Sequence, residues 1–165
     1  MERLALRYVE RYATTRARLA AYLTRKIRER GWAEAREADT RALADRMATL
    51  GYVDDLSFAQ ARASAMNRRG LGSRRIDEAL RFAGVEEAER GLLAPDLTEQ
   101  AVESALTFAR RRRLGPYAVE RADRAALQRA MAAMIRAGHA PGLARRIVEM
   151  EPGEDVEPLR ARDRY

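Results

Sequence analysis

Apolar residues recur along this chain at intervals of three and four, and that period predicts helices almost from end to end. Leu4, Leu6, Tyr8, Val9 and Tyr12 mark a first short helix. Thr14 or Thr15 can cap a second, in which Leu19, Tyr22, Leu23 and Ile27 share a face. Arg28 and Arg30 in its last turn complement the helix dipole, and Gly31 closes it, with Trp32 expected to pack on the helix end. A polar stretch from Ala33 to Ala38 leads to Asp39, the next N-cap, and Leu43, Met47 and Leu50 mark a third helix closed by Gly51. Asp54 then caps a fourth helix, with Phe58, Ala61 and Ala65 on one face and Gly70 at its end. Gly72 or Ser73 starts a fifth, in which Ile76, Ala79, Leu80 and Ala83 form the apolar stripe and Gly84 the stop.

Beyond Val85 the period weakens. Gly91 and Pro95 make residues 86–96 read mostly as loop. Asp96 or Thr98 is expected to start a sixth helix that buries Val102, Ala105, Leu106 and Ala109, with Gly115 and Pro116 stopping it. Leu127, Met131, Met134 and Ile135 mark a seventh helix, ended by Gly138, and Pro141 suits the first turn of an eighth that bears Leu143, Ile147 and Val148. The charged end of the chain reads as a frayed tail or a weak ninth helix. No run of β-branched residues alternates with period two, so the expected fold class is all-α.

The helices group in threes. The segment RRGLGSRRIDEAL from Arg68 can be laid on RAGHAPGLARRIV from Arg136: Gly70 falls on Gly138, Ser73 on Pro141, Ile76 on Ala144, and Ala79-Leu80 on Ile147-Val148. Leu19, Tyr22 and Leu23 fit the slots of Ile76, Ala79 and Leu80. Three tandem three-helix repeats are expected, at 4–51, 54–117 and 119–165, the last helix of the third lying within 154–165. Stacked repeats of this kind give an elongated curved array, which offers a long face to a long partner.

Composition sharpens the picture. The chain of 165 residues carries a net charge of +7, and Lys26 is its single lysine among 32 basic residues. That balance favours a polyanionic partner, and guanidinium groups grip phosphate with two donors at once. Coding bias in a GC-rich genome accounts equally well for the arginine-to-lysine ratio, but not for the net charge. There is no cysteine and one histidine, His139, so neither a thiolate metal site nor a histidine-based acid–base pair is expected. No apolar run is long enough to cross a membrane and no signal-peptide core opens the chain, so the expectation is a soluble cytoplasmic protein without membrane contact.

Catalysis needs a constellation of side chains, and none is visible. Asp54 and Asp55 read as a helix cap and a first-turn acid rather than metal ligands, and His139 as a plain turn residue. Gly70 and Gly72 lack the spacing and the Lys-Ser/Thr end of a phosphate loop. No catalytic residue, metal or cofactor is therefore expected, and the protein is read as a non-enzyme. The positive signal is cationic: Arg68, Arg69, Arg74 and Arg75 flank a turn and the start of a helix, where free amide groups would also favour anions. Arg110, Arg111, Arg112 and Arg113 surround another helix end, and Arg16, Arg18, Arg25 and Lys26 could decorate the first repeat. These twelve residues are the candidate filament- or DNA-binding set. With few aromatics among them, contacts with phosphates or acidic side chains fit better than base stacking.

GYVDD-x-x-FA from Gly51 to Ala59, followed by RRGLGSRRI from Arg68 to Ile76, resembles the signature of the RecX family of bacterial regulatory proteins. The N-terminal LRYVERYATTRARLAAYLTRKIRERGW and the RAGHAPGLARRIV segment are similar to that family's first and last repeats, with Ser73 standing where proline is common. Within the motif, Gly51, Tyr52, Asp54, Asp55, Phe58, Gly70, Gly72 and Ile76 are expected to be structural. The resemblance implies a monomer of tandem three-helix repeats that binds the RecA recombinase filament on single-stranded DNA. It also implies a negative regulator that settles in the filament groove and limits filament growth, strand exchange and RecA ATP hydrolysis, in recombinational repair and the SOS response. Binding to duplex DNA, where it occurs, would be independent of sequence. The other class considered is a helix–turn–helix DNA-binding protein or general nucleic-acid-binding module, for which a dimer reading half-sites would be expected.

Overall fold

The computed structural model describes residues 1–31 and 38–162, and in these residues it contains helices and turns without a strand. The expectations for Trp32 and for most of the Ala33–Ala38 stretch lie outside the described residues. Ten α-helices follow in order: α1 Glu2–Val9, α2 Arg16–Arg30, α3 Thr40–Thr49, α4 Asp55–Arg68, α5 Ser73–Phe82, α6 Glu87–Glu99, α7 Ala101–Arg112, α8 Arg124–Arg136, α9 Pro141–Val148 and α10 Glu157–Arg162. A short 3-10 turn, Gly115–Tyr117, separates α7 from α8. The chain divides into two compact units, one of Met1–Ala61 with Leu80–Arg90, the other of Arg62–Ala79 with Gly91–Tyr165.

The first unit is built on α1, α2 and α3. Thr15 caps α2 by accepting the Arg18 N–H, and its hydroxyl donates to the Ala83 carbonyl at 2.6 Å. One buried threonine thereby starts the helix and ties it to the end of α5. Leu19 and Leu23, one turn apart, are fully buried against Ala5, Leu43, Ala44, Met47 and Val53. Tyr8 stacks on Tyr22 at 4.1 Å between ring centres. Asp39 caps α3 by accepting the Ala42 N–H. Leu50 is exposed past the end of α3, and Tyr12 lies outside α1 and is half exposed. These two expected core positions point to water because the helices end before reaching them.

The second unit packs α7, α8, α9 and α10 around Val102, Ala105, Leu106, Ala109, Met134, Leu143, Ala144, Ile147, Val148 and Leu159. At about 1.5–3 kcal/mol for each large aliphatic side chain removed from water, this cluster is a main source of the unit's stability. Pro141 opens α9, where its missing N–H costs nothing. The tail that reads as weak in sequence forms α10, because Leu159 finds the core and Arg160 pairs with Glu103 and Glu157.

Four local expectations are corrected. Residues 86–96 are not loop: α6 runs through both Gly91 and Pro95. Pro95 forfeits a main-chain hydrogen bond, but burial of Leu93 and two first-turn acids, Glu87 and Glu89, outweigh that cost. In consequence Asp96 and Thr98 lie inside α6, and the next helix starts at Ala101. The buried face of α4 is Ala59, Ala63 and Met66, whereas Ala61 and Ala65 are exposed and Phe58 is half-buried. An alanine-rich helix satisfies the 3.6-residue period in more than one phase, and packing chose the other one. On α8, Ile135 faces outward and Ala130 and Met134 are buried.

Candidate functional site

The turn from α4 to α5 is a strict piece of backbone. The N–H of Gly70 donates to the Asn67 carbonyl and that of Leu71 to Met66, with Gly70 at φ 79°. This is the Schellman closure, which favours glycine because the left-handed conformation crowds a Cβ. The turn from α8 to α9 closes in the same way: Gly138, at φ 94°, donates to Ile135, and His139 to Met134. The two turns then pack on each other. The N–H of Gly72 donates to the Ala137 carbonyl at 2.9 Å and that of Arg74 to the Gly138 carbonyl at 3.3 Å.

Those two bonds correct the expectation of free amides at the start of α5. The N–H groups of Arg75 and Ile76 are also taken, by the Gly72 carbonyl. The start of α5 therefore offers an anion few free amides, and the donors it leaves are guanidinium groups. His139 is likewise not a plain turn residue. It is 2% exposed, its Nε2 lies 3.1 Å from the Gly70 carbonyl oxygen, and its ring tilts against Phe108. Burial pushes the imidazole below its ordinary pKa, while the Gly70 hydrogen bond opposes the shift more weakly. Nothing in the sequence around His139 announces a partner 69 residues away.

The side chains of Arg68, Arg69, Arg74 and Arg75 are exposed on this scaffold. Arg111 links them to the second arginine cluster. Its guanidinium donates to the Arg69 carbonyl at 2.9 Å and to the Arg68 carbonyl at 3.5 Å. Arg110 lies over the Tyr117 ring at 4.9 Å and donates to its hydroxyl, and Arg112 lies over Phe108 at 5.8 Å. Arg113 takes a left-handed backbone conformation at φ 54°, the only non-glycine residue among the described ones to do so at positive φ. Among the described residues Arg75 pairs with Glu78, but Arg68, Arg69, Arg74 and Arg113 have no carboxylate partner. The sequence separates the two arginine clusters by 35 positions or more, and the second unit brings them together through Arg111.

The candidate cations of the first unit stand differently. Arg16 is held by Asp55, whose carboxylate accepts both its main-chain N–H at 2.8 Å and its Nε–H at 3.1 Å. Glu89 lies 3.1 Å and Glu86 3.7 Å from the same guanidinium. Hydrogen bonding to Asp55 is the main cause that raises the Arg16 pKa further. Arg25 and Lys26 share Glu29, and Arg18 lies over the half-buried Phe58. An ion pair neutralises the far field of each member, so Arg16, Arg25 and Lys26 offer less to an anion than unpaired arginines do.

The motif residues have structural places. Gly51, at φ 78°, closes α3 and leads into exposed Tyr52. Asp54 caps α4 through the Ser57 N–H and hydroxyl, which hold its carboxyl below the ordinary value, the hydroxyl being the stronger cause. Asp55 is buried at 6%, and Ile76 at 1%. No group of three or more acidic or histidine side chains among the described residues is placed to hold a metal ion, and no described helix is long and apolar enough to cross a membrane.

Fold and surface together define a basic, all-helical protein that carries arginines without a carboxylate partner, Arg68, Arg69 and Arg74, on a braced helix–helix turn. Over 92% of its length the chain is 31% identical to the regulatory protein RecX of Myxococcus xanthus (strain DK1622), covering 86% of that protein. It is also 31% identical to the regulatory protein RecX of Thermobifida fusca (strain YX), over 93% of this chain and 80% of that one. The chain belongs to the RecX family of regulatory proteins. No protein-family model matches it, and no solved structure does.

Proposed function

We propose that this protein is a negative regulator of the RecA recombinase that binds the RecA filament on single-stranded DNA. Bound in the filament groove, it limits filament growth, and strand exchange and RecA ATP hydrolysis fall with it. The setting is recombinational repair and the SOS response. The single observation that carries this reading beyond family membership is the union of the two arginine clusters. Arg68, Arg69, Arg74 and Arg113 lack carboxylate partners among the described residues while Arg111 joins their helices. Such a surface suits a polymer of phosphates and acidic side chains, without base-edge readout.

The helix–turn–helix alternative would lead with the N-terminal residues of α5 in a major groove. The α8–α9 turn already sits on that terminus, through Ala137 and Gly138, which weighs against it. We further propose an organisation into tandem units at 4–51, 54–117 and 119–165, with three helices in the first and third and four, α4 to α7, in the second because Glu87–Glu99 forms α6. The like closures at Gly70 and Gly138, each ending the helix that precedes the second helix of its unit, support it. The protein acts as a monomer in this proposal and carries out no chemistry of its own.

The test is RecA on poly(dT) with the protein added below one copy per RecA. ATP turnover and filament length should both fall. The variant with Arg68, Arg69, Arg74 and Arg75 all changed to Glu should keep its helicity and lose inhibition. Full inhibition by this variant would make the cluster ordinary solvated surface, and unchanged turnover with the wild-type protein would overturn the proposal.

A further inference from the structure

Three consecutive carbonyls at the end of α4 are captured by side chains from other helices or turns. Arg111 takes those of Arg68 and Arg69, and His139 takes that of Gly70. Helix ends leave such carbonyls without intrahelical partners, and a cation placed there also meets the negative end of the dipole. On the far side of the same turn, the carbonyls of Ala137 and Gly138 take the amides of Gly72 and Arg74. The backbone of residues 68–74 is thus held on both sides. Phe108 closes the remaining gap: its main chain stands where a Cβ on Gly70 would go, and its ring meets His139.

We infer that Arg111 and His139 are positioning residues, which present the guanidinium groups of Arg68, Arg69 and Arg74 in one fixed arrangement, rather than anion ligands themselves. The inference rests on the proposed binding role of that turn. Arg111 spends its two terminal nitrogens on carbonyls, so its guanidinium is engaged before any phosphate arrives. His139 is buried, and donates from Nε2, so it has no face left for a ligand. A ligand held by preformed groups costs less ordering entropy, and loosening the turn returns that cost to binding.

The experiment compares Arg111→Lys, His139→Leu and His139→Gln with the wild-type protein. Two quantities are read: affinity for a fluorescent oligo(dT), and exchange of the Gly72 and Arg74 amides with deuterium. Arg111→Lys keeps the charge but cannot fork onto two carbonyls. It should bind about tenfold more weakly, equivalent to about 1.4 kcal/mol, and exchange both amides faster. His139→Leu should do the same, and His139→Gln, which keeps an N–H donor, should restore most of the loss. Wild-type affinity and exchange in Arg111→Lys would overturn the inference. So would equal behaviour of His139→Leu and His139→Gln. If the wild-type protein binds neither oligo(dT) nor the RecA filament, the functional proposal fails. The exchange rates still decide whether the clamp exists.

Discussion

Gly72 and Gly138 meet backbone against backbone. A Cβ on Gly72 would run into the carbonyl of Gly138, and a Cβ on Gly138 into the main-chain nitrogen of Arg75. Neither obstacle is the flexible end of a side chain, so neither can step aside cheaply. Gly72→Ala should therefore destabilise the protein by about 2–3 kcal/mol through overpacking. Gly138→Ala should cost at least as much, since φ at this position is 94°. Urea unfolding measures both, and a Gly72→Ala variant as stable as the wild type would show that the two turns do not pack as described.

Asp55 and Arg16 form a second close pairing that a mutant can break. The carboxylate is buried and accepts two N–H groups from one residue, while the Arg16 side chain remains about 30% exposed. Solvent screens that side, so the pair itself should contribute only about 1 kcal/mol in a double-mutant cycle. Arg16→Ala should cost more, about 2–3 kcal/mol, because it strips Asp55 of its cation in a buried setting. A coupling energy indistinguishable from zero would make this an ordinary surface pair.

Arg113 holds a backbone conformation that glycine adopts more cheaply. Arg113→Gly should raise stability by about 0.5–1 kcal/mol and weaken filament binding, whereas Arg113→Ala should weaken binding with no gain in stability. Strain kept at a cationic position is the pattern of a residue retained for contact. Unaltered RecA inhibition by both variants would remove Arg113 from the binding set.

Stability should fall in mild acid because of His139. Its folded pKa lies below the ordinary value of 6.5, chiefly through burial. The unfolded chain therefore binds the proton more readily than the folded one. The contribution is complete above about pH 6.5 and is lost as pH falls toward and through the lower folded value. Denaturation midpoints between about pH 7 and pH 5 should drop for the wild type and stay flatter for His139→Gln. Parallel curves would assign the acid sensitivity elsewhere. Asp54 contributes only at lower pH. Its folded pKa is below 3.8, so its cap persists above that value and fails as pH falls beneath it.

Most helix ends were legible because they depend on local chemistry. Thr15, Asp39 and Asp54 cap helices, and Gly31, Gly51, Gly70 and Gly138 end them, by bonds that reach three to five residues. The misjudged features were those settled at long range. Burial of Leu93 carries α6 across Pro95, and packing turned α4 onto Ala59, Ala63 and Met66. At the candidate site the arginines could be listed from composition, but their relation could not. Arg111 reaches carbonyls 42 and 43 residues away, and His139 one 69 residues away.

The order of residues by itself determined an all-helical chain, where its helices cap and stop, its excess of positive charge and, through the Gly51–Ile76 motif, its family. Only the tertiary structure decided that the arginines at 68–75 and 110–113 share one scaffold, that Arg16 is tied up by Asp55, and that the start of α5 has few amides to spare. The physical reason is range. Caps and periodicity act within a turn or two of helix, whereas a carbonyl's choice between water, a neighbouring amide and a distant guanidinium is made only when packing has brought all three within reach.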